Sequence, residues 1–344
     1  MNNFYLKMSP LTGMVGYGGG PSGLMQKSGS IPKWYGERGI PKGYYYAGKT
    51  HHEIEYITIQ TPGSGTDFGD LHADVRNMSG FGGQGMGVFV CGQIDTTGSN
   101  NWSATNQAQY ITFATIGSAG DFCDMIGQAD DRYSCSDGNR GICSGGGQDK
   151  ISIEYTEIST KSNGADFGDL NENRAGHCST NDDTYAVNWG SSENNGRTNL
   201  DYITIQTTGN ATNFGNTMEW SNNDGNQGGA VRYLMQGLSS DQGRGIAGGG
   251  HKQTGNNVQF STQIEYIVHT TTGNGQDFGD LTVGGNTLTK GNVANSTRGV
   301  FCTGSDNRTK LMDYITFDTA GNATTFGSLS SNDGTEQNAG CSGD

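Results

Sequence analysis

One pattern of apolar and polar positions is repeated along the chain. Each copy starts with a strand-like segment, Tyr-Ile-Thr-Ile in its most regular form. It continues through a short turn and ends in Phe-Gly-Asp-Leu or a variant. The tyrosines are Tyr56, Tyr110, Tyr155, Tyr202, Tyr266 and Tyr314, and the phenylalanines are Phe68, Phe122, Phe167, Phe214, Phe278 and Phe326. The tyrosine-to-phenylalanine distance is the same in all six copies, and constant spacing with substituted residues indicates a structural repeat.

The residue types of the repeat predict a β-strand, a tight turn and a buried aromatic residue. Tyr-Ile-Thr-Ile is β-branched and aromatic, and it places Tyr and Thr on one face and two Ile on the other. Neither face is charged, so we expect the strand to be covered on both sides. The turn glycines are expected to supply positive φ angles, and the phenylalanine is expected to be buried between units. These glycines are Gly63, Gly117, Gly164, Gly209, Gly273 and Gly321.

A second strand, which ends in glycine, precedes each tyrosine. Its clearest copies begin Arg-Gly-Ile or Arg-Gly-Val, at residues 140–146, 244–249 and 298–304, and looser copies are 43–48, 87–92 and 184–190. There is room for three to four strands in a unit of about 50 residues, which is the size of a propeller blade. The sequence therefore predicts an all-β fold: a six-bladed kelch-like β-propeller with an irregular N-terminal arm.

The two ends of the chain are predicted to complete one blade together. The last copy ends at 326–329 and is followed only by residues 330–344, so its unit lacks the glycine-ended strand. We expect residues 43–48 to supply it, because closure removes exposed strand edges. The predicted domains are an N-terminal attachment arm at 1–42 and a propeller at 43–344, closed by both termini.

The first 50 residues differ in charge from the rest of the chain. They carry a net charge of +5, and since the whole chain carries −14, the remainder carries −19. A basic, proline-rich and aromatic segment in front of an acidic body is typical of an attachment arm. The equally weighted alternative is a segment that only wraps the body. Residues predicted to make the arm's contacts are Phe4, Tyr5, Lys7, Tyr17, Lys27, Lys33 and Trp34.

The amino-acid sequence of the repeat resembles that of a known family. Residues 201–217 and 313–329 read Asp-Tyr-Ile-Thr, then Gly-Asn-Ala-Thr, then Phe-Gly. The layout is similar to a kelch blade, and the wording resembles repeats of virion-associated proteins of tailed bacteriophages, notably cyanophages. This resemblance implies a virion structural protein, such as a tail or capsid appendage with a role in host adhesion. Its implied partners are other virion proteins or copies of itself, and host cell-surface glycan is an open alternative.

The competing function is a glycan-processing, sialidase-like hydrolase on the same fold. Such enzymes need paired carboxylates beside a cleft. Three Asp-Gly segments (136–139, 223–226 and 331–335) loosely resemble an Asp-box, but Asp-Gly is an ordinary turn pair. The other prominent carboxylates recur from copy to copy, whereas a catalytic residue should break the repeat. We therefore expect no enzymatic activity and no glycoside hydrolysis.

Other classes are constrained by composition. The acidic body opposes nucleic-acid binding, and there is no phosphate-binding GxxxxGK[ST] motif. The sequence shows no signal peptide and no apolar run that could span a membrane, so we expect no membrane insertion and a virion location after synthesis in the host cytoplasm. No cofactor is predicted. The sequence leaves open whether a metal such as Ca²⁺ binds and whether Cys135 pairs with Cys143.

Recognition is predicted at the longest insertion. Successive tyrosines are separated by 54, 45, 47, 64 and 48 residues, so the units differ in their connecting segments. The insertion between Phe214 and Arg244 contains Trp220, Arg232 and Tyr233. Variable loops on a rigid scaffold are where recognition usually occurs. These three residues are the candidate recognition loop.

Overall fold

The computed structural model describes eleven segments of the chain: 38–42, 52–95, 101–147, 150–191, 197–218, 235–239, 243–254, 257–284, 291–302, 311–329 and 339–342. These residues form an all-β, propeller-like arrangement, which confirms the predicted fold class at this level. Within these segments the helical structure is limited to one 3-10 turn at Ile158–Thr160, and none of it is long and apolar enough to cross a bilayer.

Six four-stranded antiparallel sheets make up the body, and we number them in chain order. Sheet 1 consists of β29 (Ala339–Ser342), β1 (Arg38–Lys42), β2 (Glu53–Thr58) and β3 (Thr66–Asp70). Sheet 2 consists of β5 (Ser79–Gly83), β6 (Met86–Val90), β9 (Gln107–Thr112) and β10 (Gly120–Asp124). Sheet 3 consists of β11 (Tyr133–Ser136), β12 (Arg140–Ser144), β13 (Ser152–Glu157) and β14 (Ala165–Asp169).

The remaining three sheets repeat this order of first to fourth strand. Sheet 4 consists of β15 (Cys178–Asn181), β16 (Tyr185–Ser191), β17 (Arg197–Thr204) and β18 (Thr212–Asn216). Sheet 5 consists of β19 (Gln236–Ser239), β20 (Arg244–Gly248), β23 (Gln263–Val268) and β24 (Gln276–Asp280). Sheet 6 consists of β25 (Val293–Ala294), β26 (Arg298–Cys302), β27 (Leu311–Thr316) and β28 (Thr324–Ser328).

Two small sheets are added to this frame. One has three strands, β4 (Asp74–Arg76), β7 (Gln93–Asp95) and β8 (Trp102–Ala104), and we call it the insertion sheet. The other is a hairpin of β21 (His251–Thr254) and β22 (Asn257–Phe260). The hairpin β7–β8 and the hairpin β21–β22 both lie between the second and third strands of their sheets.

Sheet 1 combines the two ends of the chain, as the sequence predicted. β29 pairs with β1, with Gly39 opposite Ser342 and Lys42 opposite Ala339. The prediction that residues 43–48 form this strand is wrong, because Arg38–Lys42 occupies the second position and residues 43–48 lie outside the described segments. The sheet thus begins within the predicted arm. The signal was present in Arg38-Gly39-Ile40, which matches the Arg-Gly-Ile start of β12 and β20, but Pro41 obscured it.

The hydrophobic core consists of six clusters, each shared by two successive sheets. Each cluster contains one repeated phenylalanine, and all six of these side chains are at most 4% exposed, which confirms their predicted burial. The cluster of Phe326 joins Val300 of sheet 6 to Ile57 and Ile59 of sheet 1. Each phenylalanine also packs against the repeated tyrosine of its own sheet at centroid distances of 5.8–6.2 Å.

The phenylalanines reach the core because each fourth strand has a β-bulge there. The pairing of third and fourth strands shifts by one residue at this point in all six sheets. The third strand is less covered than predicted: its Ile residues are buried, but the repeated tyrosine is half-buried, and Thr58 and its counterparts Thr112 and Thr316 are exposed. The uncharged Thr face was therefore wrongly taken as covered.

The antiparallel order gives the body two different sides. The connections between first and second strands, and those between third and fourth strands, lie at one end of the strands, which we call the turn face. The connections between second and third strands, and those between fourth strands and the next sheet, lie at the other end, which we call the insertion face. β1 begins and β29 ends at the turn face, since Arg38 is opposite Thr58 and Ser342 is opposite Gly39.

Candidate recognition face

The residue before each repeated tyrosine is a buried acid or amide. These residues are Glu55, Gln109, Glu154, Asp201, Glu265 and Asp313, and all are at most 6% exposed. In five copies the side chain accepts a hydrogen bond of 2.7–3.3 Å from the backbone N–H four residues after the phenylalanine of the preceding sheet. The sixth donor position, residue 330, lies outside the described segments. These side chains therefore hold the chain where it passes from sheet to sheet. Where the acceptor is a carboxylate, such a hydrogen bond stabilises by about 1.5–3 kcal/mol.

Backbone hydrogen bonds join every sheet to the next. In all six cases the N–H nine residues after the tyrosine donates to the carbonyl two residues after the preceding phenylalanine, at 2.7–2.9 Å. The pairs are Gly65 with Ser328, Ala119 with Asp70, Gly164 with Asp124, Ala211 with Asp169, Gly275 with Asn216 and Ala323 with Asp280. In four copies the turn asparagine also accepts from the N–H of the same residue, at 3.0–3.2 Å.

Close approach, rather than turn conformation, explains most of the repeated glycines. Among the six turn glycines, all of them described, only Gly209 has a positive φ, so that prediction is wrong for the other five. The glycine after the phenylalanine matters more. A Cβ at Gly69 would lie 2.5 Å from backbone atoms of Gly117 in the next sheet, and Gly327 approaches Gly63 in the same way. Any larger residue there would push two sheets apart.

The arginine that begins the second strand is also a link between sheets. In sheets 1, 3, 5 and 6 its guanidinium lies 4.2–4.9 Å from the ring centroid of the repeated tyrosine. The same guanidinium donates to a backbone carbonyl three residues after the next tyrosine, at 2.5–3.2 Å. The four residues are Arg38, Arg140, Arg244 and Arg298. Arg38 is therefore part of the body and not a charge of the arm.

The one Asp-Gly segment that the structure describes, 136–139, is a capped turn. Asp137 accepts hydrogen bonds from the N–H groups of Asn139 and Arg140, at 2.9 and 2.8 Å. Asp182 and Asn295 cap the corresponding turns of sheets 4 and 6 in the same way. The turn interpretation made from sequence is confirmed for 136–139; the segments at 223–226 and 331–335 lie outside the described residues.

One buried polar network breaks the repeat. Ser144 Oγ lies 3.0 Å from His177 Nε2 and 3.1 Å from Asn188 Oδ1. Asn188 donates to Asp201, which also pairs with Arg174 at 3.1 Å. A serine beside a histidine is a nucleophile arrangement, but Ser144 is 2% exposed and His177 is 1% exposed. A substrate has no access to either side chain, so the network serves to connect sheets 3 and 4.

The described first strands offer no carboxylates. β5, β11, β15, β19, β25 and β29 contain no Asp, Glu, Lys, Arg or His. They meet through small groups: Ser134 Oγ bonds Ser79 Oγ at 2.6 Å, and a Cβ at Gly80 would lie 2.4 Å from the carbonyl oxygen of Gly340. A carboxylate pair that flanks a glycosidic bond is thus not supplied by these strands.

Length variation is concentrated on the insertion face, since the first-to-second connections of the turn face differ by only two residues, from two (84–85) to four (240–243). Every connection between third and fourth strands has seven residues (59–65, 113–119, 158–164, 205–211, 269–275 and 317–323). By contrast, the second-to-third connections range from five residues (192–196) to sixteen (91–106). The connections to the next sheet range from eight residues (71–78) to nineteen (217–235). One side of the scaffold is therefore uniform and the other is individual to each unit.

The insertion sheet is the best-described individual part of that face. The Arg76 guanidinium lies 4.5 Å from the ring centroid of the half-buried Trp102. Arg76 donates to Gln93 at 2.7 Å, and Gln93 donates to Asp130 at 2.5 Å. This fixed aromatic and polar surface was missed from sequence. The available signal was the 54-residue spacing of the first two tyrosines, which indicated an insertion here.

The residues predicted to act as sites fall outside the described segments. This applies to the arm residues Phe4, Tyr5, Lys7, Tyr17, Lys27, Lys33 and Trp34, and to the recognition residues Trp220, Arg232 and Tyr233. The latter three belong to the 217–235 connection, the longest one on the insertion face.

The described residues contain no group of three or more His, Cys, Asp or Glu side chains placed to hold a metal ion. All seven cysteines are buried and none of them is in a disulfide, so Cys135 and Cys143 do not form one. Burial raises the pKa of Cys135 to about 12 and that of Cys143 well above its ordinary value, which makes both poor nucleophiles. Neither a protein-family model nor a curated protein matches the chain.

Proposed function

We propose that this chain is a bacteriophage virion protein whose six-bladed β-propeller head recognises a partner through the insertion face. The observation that carries the recognition role is the concentration of length variation on one side of a regular scaffold, where connections range from five to nineteen residues. Loops that differ in length on a rigid frame supply individual binding surfaces without altering the core. The virion assignment rests on the resemblance of the repeat to virion-associated proteins of tailed phages.

The closed six-bladed ring is part of the proposal. It is supported by six four-stranded sheets, six core clusters between successive sheets, and six equivalent backbone links. The link from Gly65 to Ser328 and the cluster around Phe326 connect sheet 6 to sheet 1, which an open row of sheets would not require. Pairing of β29 with β1 further joins the ends of the chain.

The N-terminal segment is proposed to attach the head to another virion protein. Because β1 starts at Arg38, this arm comprises residues 1–37, whose Lys7, Lys27, Lys33 and Glu37 give +2. That leaves −16 for residues 38–344, so the contrast in charge is smaller than the sequence alone indicated. The arm's aromatic residues then carry more of the attachment, since aromatic side chains are favoured in interface cores.

Purified particles test the assignment directly. Antibodies raised against the purified chain should label particles at discrete positions under the electron microscope, and the chain should be found among their proteins by mass spectrometry. Particles that lack the chain would overturn the virion role. A glycan panel tests the hydrolase alternative: turnover that is lost on substitution of one Asp or Glu would favour that function.

A loop exchange tests the recognition face. The β21–β22 connection (residues 249–262) is replaced by the seven-residue connection 145–151 of sheet 3, which spans the same strand positions. Binding of the purified protein to host cells should fall, while the unfolding midpoint should stay close to that of the parent. The control variant keeps every connection at its parent length and replaces Thr325, an exposed residue of a fourth strand, with Asp. Unchanged cell binding after exchanges of this connection and the insertion sheet would refute recognition through this face.

A further inference from the structure

A ring of threonines lies on the turn face. The fifth residue after each repeated tyrosine is threonine in all six copies: Thr61, Thr115, Thr160, Thr207, Thr271 and Thr319. All six are exposed. In five copies this residue's N–H closes the turn by donating to the carbonyl three residues earlier, at 2.9–3.3 Å. That bond is made by the backbone and does not require a threonine side chain, so in these five copies the hydroxyl is left for contacts outside the chain. In the sixth copy Thr160 Oγ1 donates to the carbonyl of Glu157 at 3.4 Å.

The third-to-fourth turns of this face are also depleted of charge, whereas the first-to-second turns contain the buried Asp137 and Asp182 and the exposed Asp183. We consider the five residues 60–64 and their counterparts 114–118, 159–163, 206–210, 270–274 and 318–322. Of these thirty positions only Lys161 and Asp318 are charged, whereas 16% of the whole chain is charged. Twenty-seven of the thirty residues are exposed, and Ile116 is 54% exposed among them. Depletion of charge on an exposed surface is a compositional mark of a protein interface.

The edges of the sheets are unsuited to the same role. Four fourth strands carry two solvent-facing carboxylates each, in the pairs Asp67 and Asp70, Asp121 and Asp124, Asp166 and Asp169, and Asp277 and Asp280. All six fourth strands also have a β-bulge. Charges and bulges on edge strands prevent edge-to-edge pairing. Two bodies that each carry a charge of −16 can therefore approach each other best at the third-to-fourth turns, where charged residues are fewest.

We infer that the turn face binds a second copy of this chain, so that two propeller bodies pair with their insertion faces pointing outward. A hydroxyl group both donates and accepts hydrogen bonds, so a ring of threonines is complementary to an identical ring. A two-fold symmetric contact requires such self-complementarity. The number of exposed residues matches the roughly 20–30 per side of a standard interface. Since Arg38 starts at this face, each arm also begins beside the partner copy.

Sedimentation velocity on the full chain tests the pairing. Thr271→Asp in sheet 5 is the first variant, and Thr207→Asp in sheet 4 is the second, in case one of them destabilises its turn. Each change appears twice in a two-fold contact and places like charges together, so the dimer dissociation constant should rise on the order of tenfold or more. Thr325→Asp is the matched control, because it introduces at sheet 6 the aspartate that sheets 1, 2, 3 and 5 carry at this position. Its dissociation constant should be that of the parent.

Two results would overturn the inference. One is a parent chain that sediments as a monomer up to about 100 µM, well above the dissociation constants of specific complexes. The other is a dimer whose dissociation constant is unchanged by both turn-face substitutions. A dimer that is lost only when residues 1–37 are deleted would be of this kind, because the arm and not the turn face would hold it together. The loop exchange on the insertion face is read out by cell binding, so the recognition role and the pairing can fail independently.

Discussion

Removal of one buried carboxylate, by Glu154→Gln, should separate two roles of the repeated acid. Glu154 accepts from the N–H groups of Ile126 and Gly127 at 2.8 and 3.1 Å, as its counterparts do in other sheets. It differs from most of them because it also pairs with Arg132 at 2.7 Å, with both side chains at most 3% exposed. These two N–H groups bond different carboxylate oxygens, so the single amide oxygen can keep only one of the two bonds, and the amide cannot neutralise the guanidinium.

The expected loss is about 3–5 kcal/mol of unfolding free energy, the usual effect of removing one partner of a buried ion pair. The comparison variant is Asp313→Asn, since Asp313 accepts from Thr282 N–H and Oγ at 2.7–2.8 Å. An amide oxygen can replace that acceptor, as Gln109 does for His72 in sheet 2, so the loss should be about 1 kcal/mol.

Urea unfolding, followed by far-UV circular dichroism and by tryptophan fluorescence, measures both losses. A double variant, Arg132→Met with Glu154→Gln, keeps one of the two backbone acceptors and removes the buried charge, so it should regain at least half of the stability lost by the single variant. Equal losses for Glu154→Gln and Asp313→Asn would refute the assignment of a large ion-pair term. So would a double variant that is no more stable than the single one.

Three further predictions follow from the core and the chain ends. Phe326→Ala should lower the unfolding free energy by about 3–5 kcal/mol in urea titrations, because it empties the cluster between sheets 6 and 1, and a loss under 1 kcal/mol would contradict that packing. Burial raises the pKa of Cys123 to about 11, above its ordinary 9.0, so the folded state retains a proton that the unfolded chain loses. The unfolding midpoint should therefore be insensitive to this thiol below pH 9 and should fall between about pH 9 and 11; a midpoint that rises there would show the opposite sign. Deletion of residues 1–37 should leave the circular dichroism spectrum and the unfolding midpoint unchanged, whereas deletion of 1–42 removes β1 from sheet 1 and should cause loss of fold. Identical behaviour of the two deletion variants would refute the boundary between arm and body at Arg38.

Local pattern was sufficient to predict the repeated parts of the fold. The spacing of Tyr56 and Phe68, repeated six times, predicted the third and fourth strands and the burial of every phenylalanine. These features depend on side chains within one unit, and a β-branched strand next to a large aromatic residue has few ways to bury both. The offset between the chain ends similarly predicted that both termini would contribute to one sheet, because an incomplete unit leaves a strand edge unpaired.

What the tertiary structure decided depends on neighbours that are distant in sequence. The need for glycine at Gly69 comes from the backbone of Gly117 in the next sheet, and the role of Glu154 comes from Arg132 and from N–H groups almost thirty residues away. The boundary at Arg38 follows from pairing with residues 339–342 at the other end of the chain. Sequence by itself determined the six units and their apolar faces. Only the packing of the sheets determined which polar residues link those units and which side of the body has connections of variable length. The reason is that a hydrogen bond depends on which groups are close in the folded structure, whereas a sequence repeat shows only the order of residues along the chain.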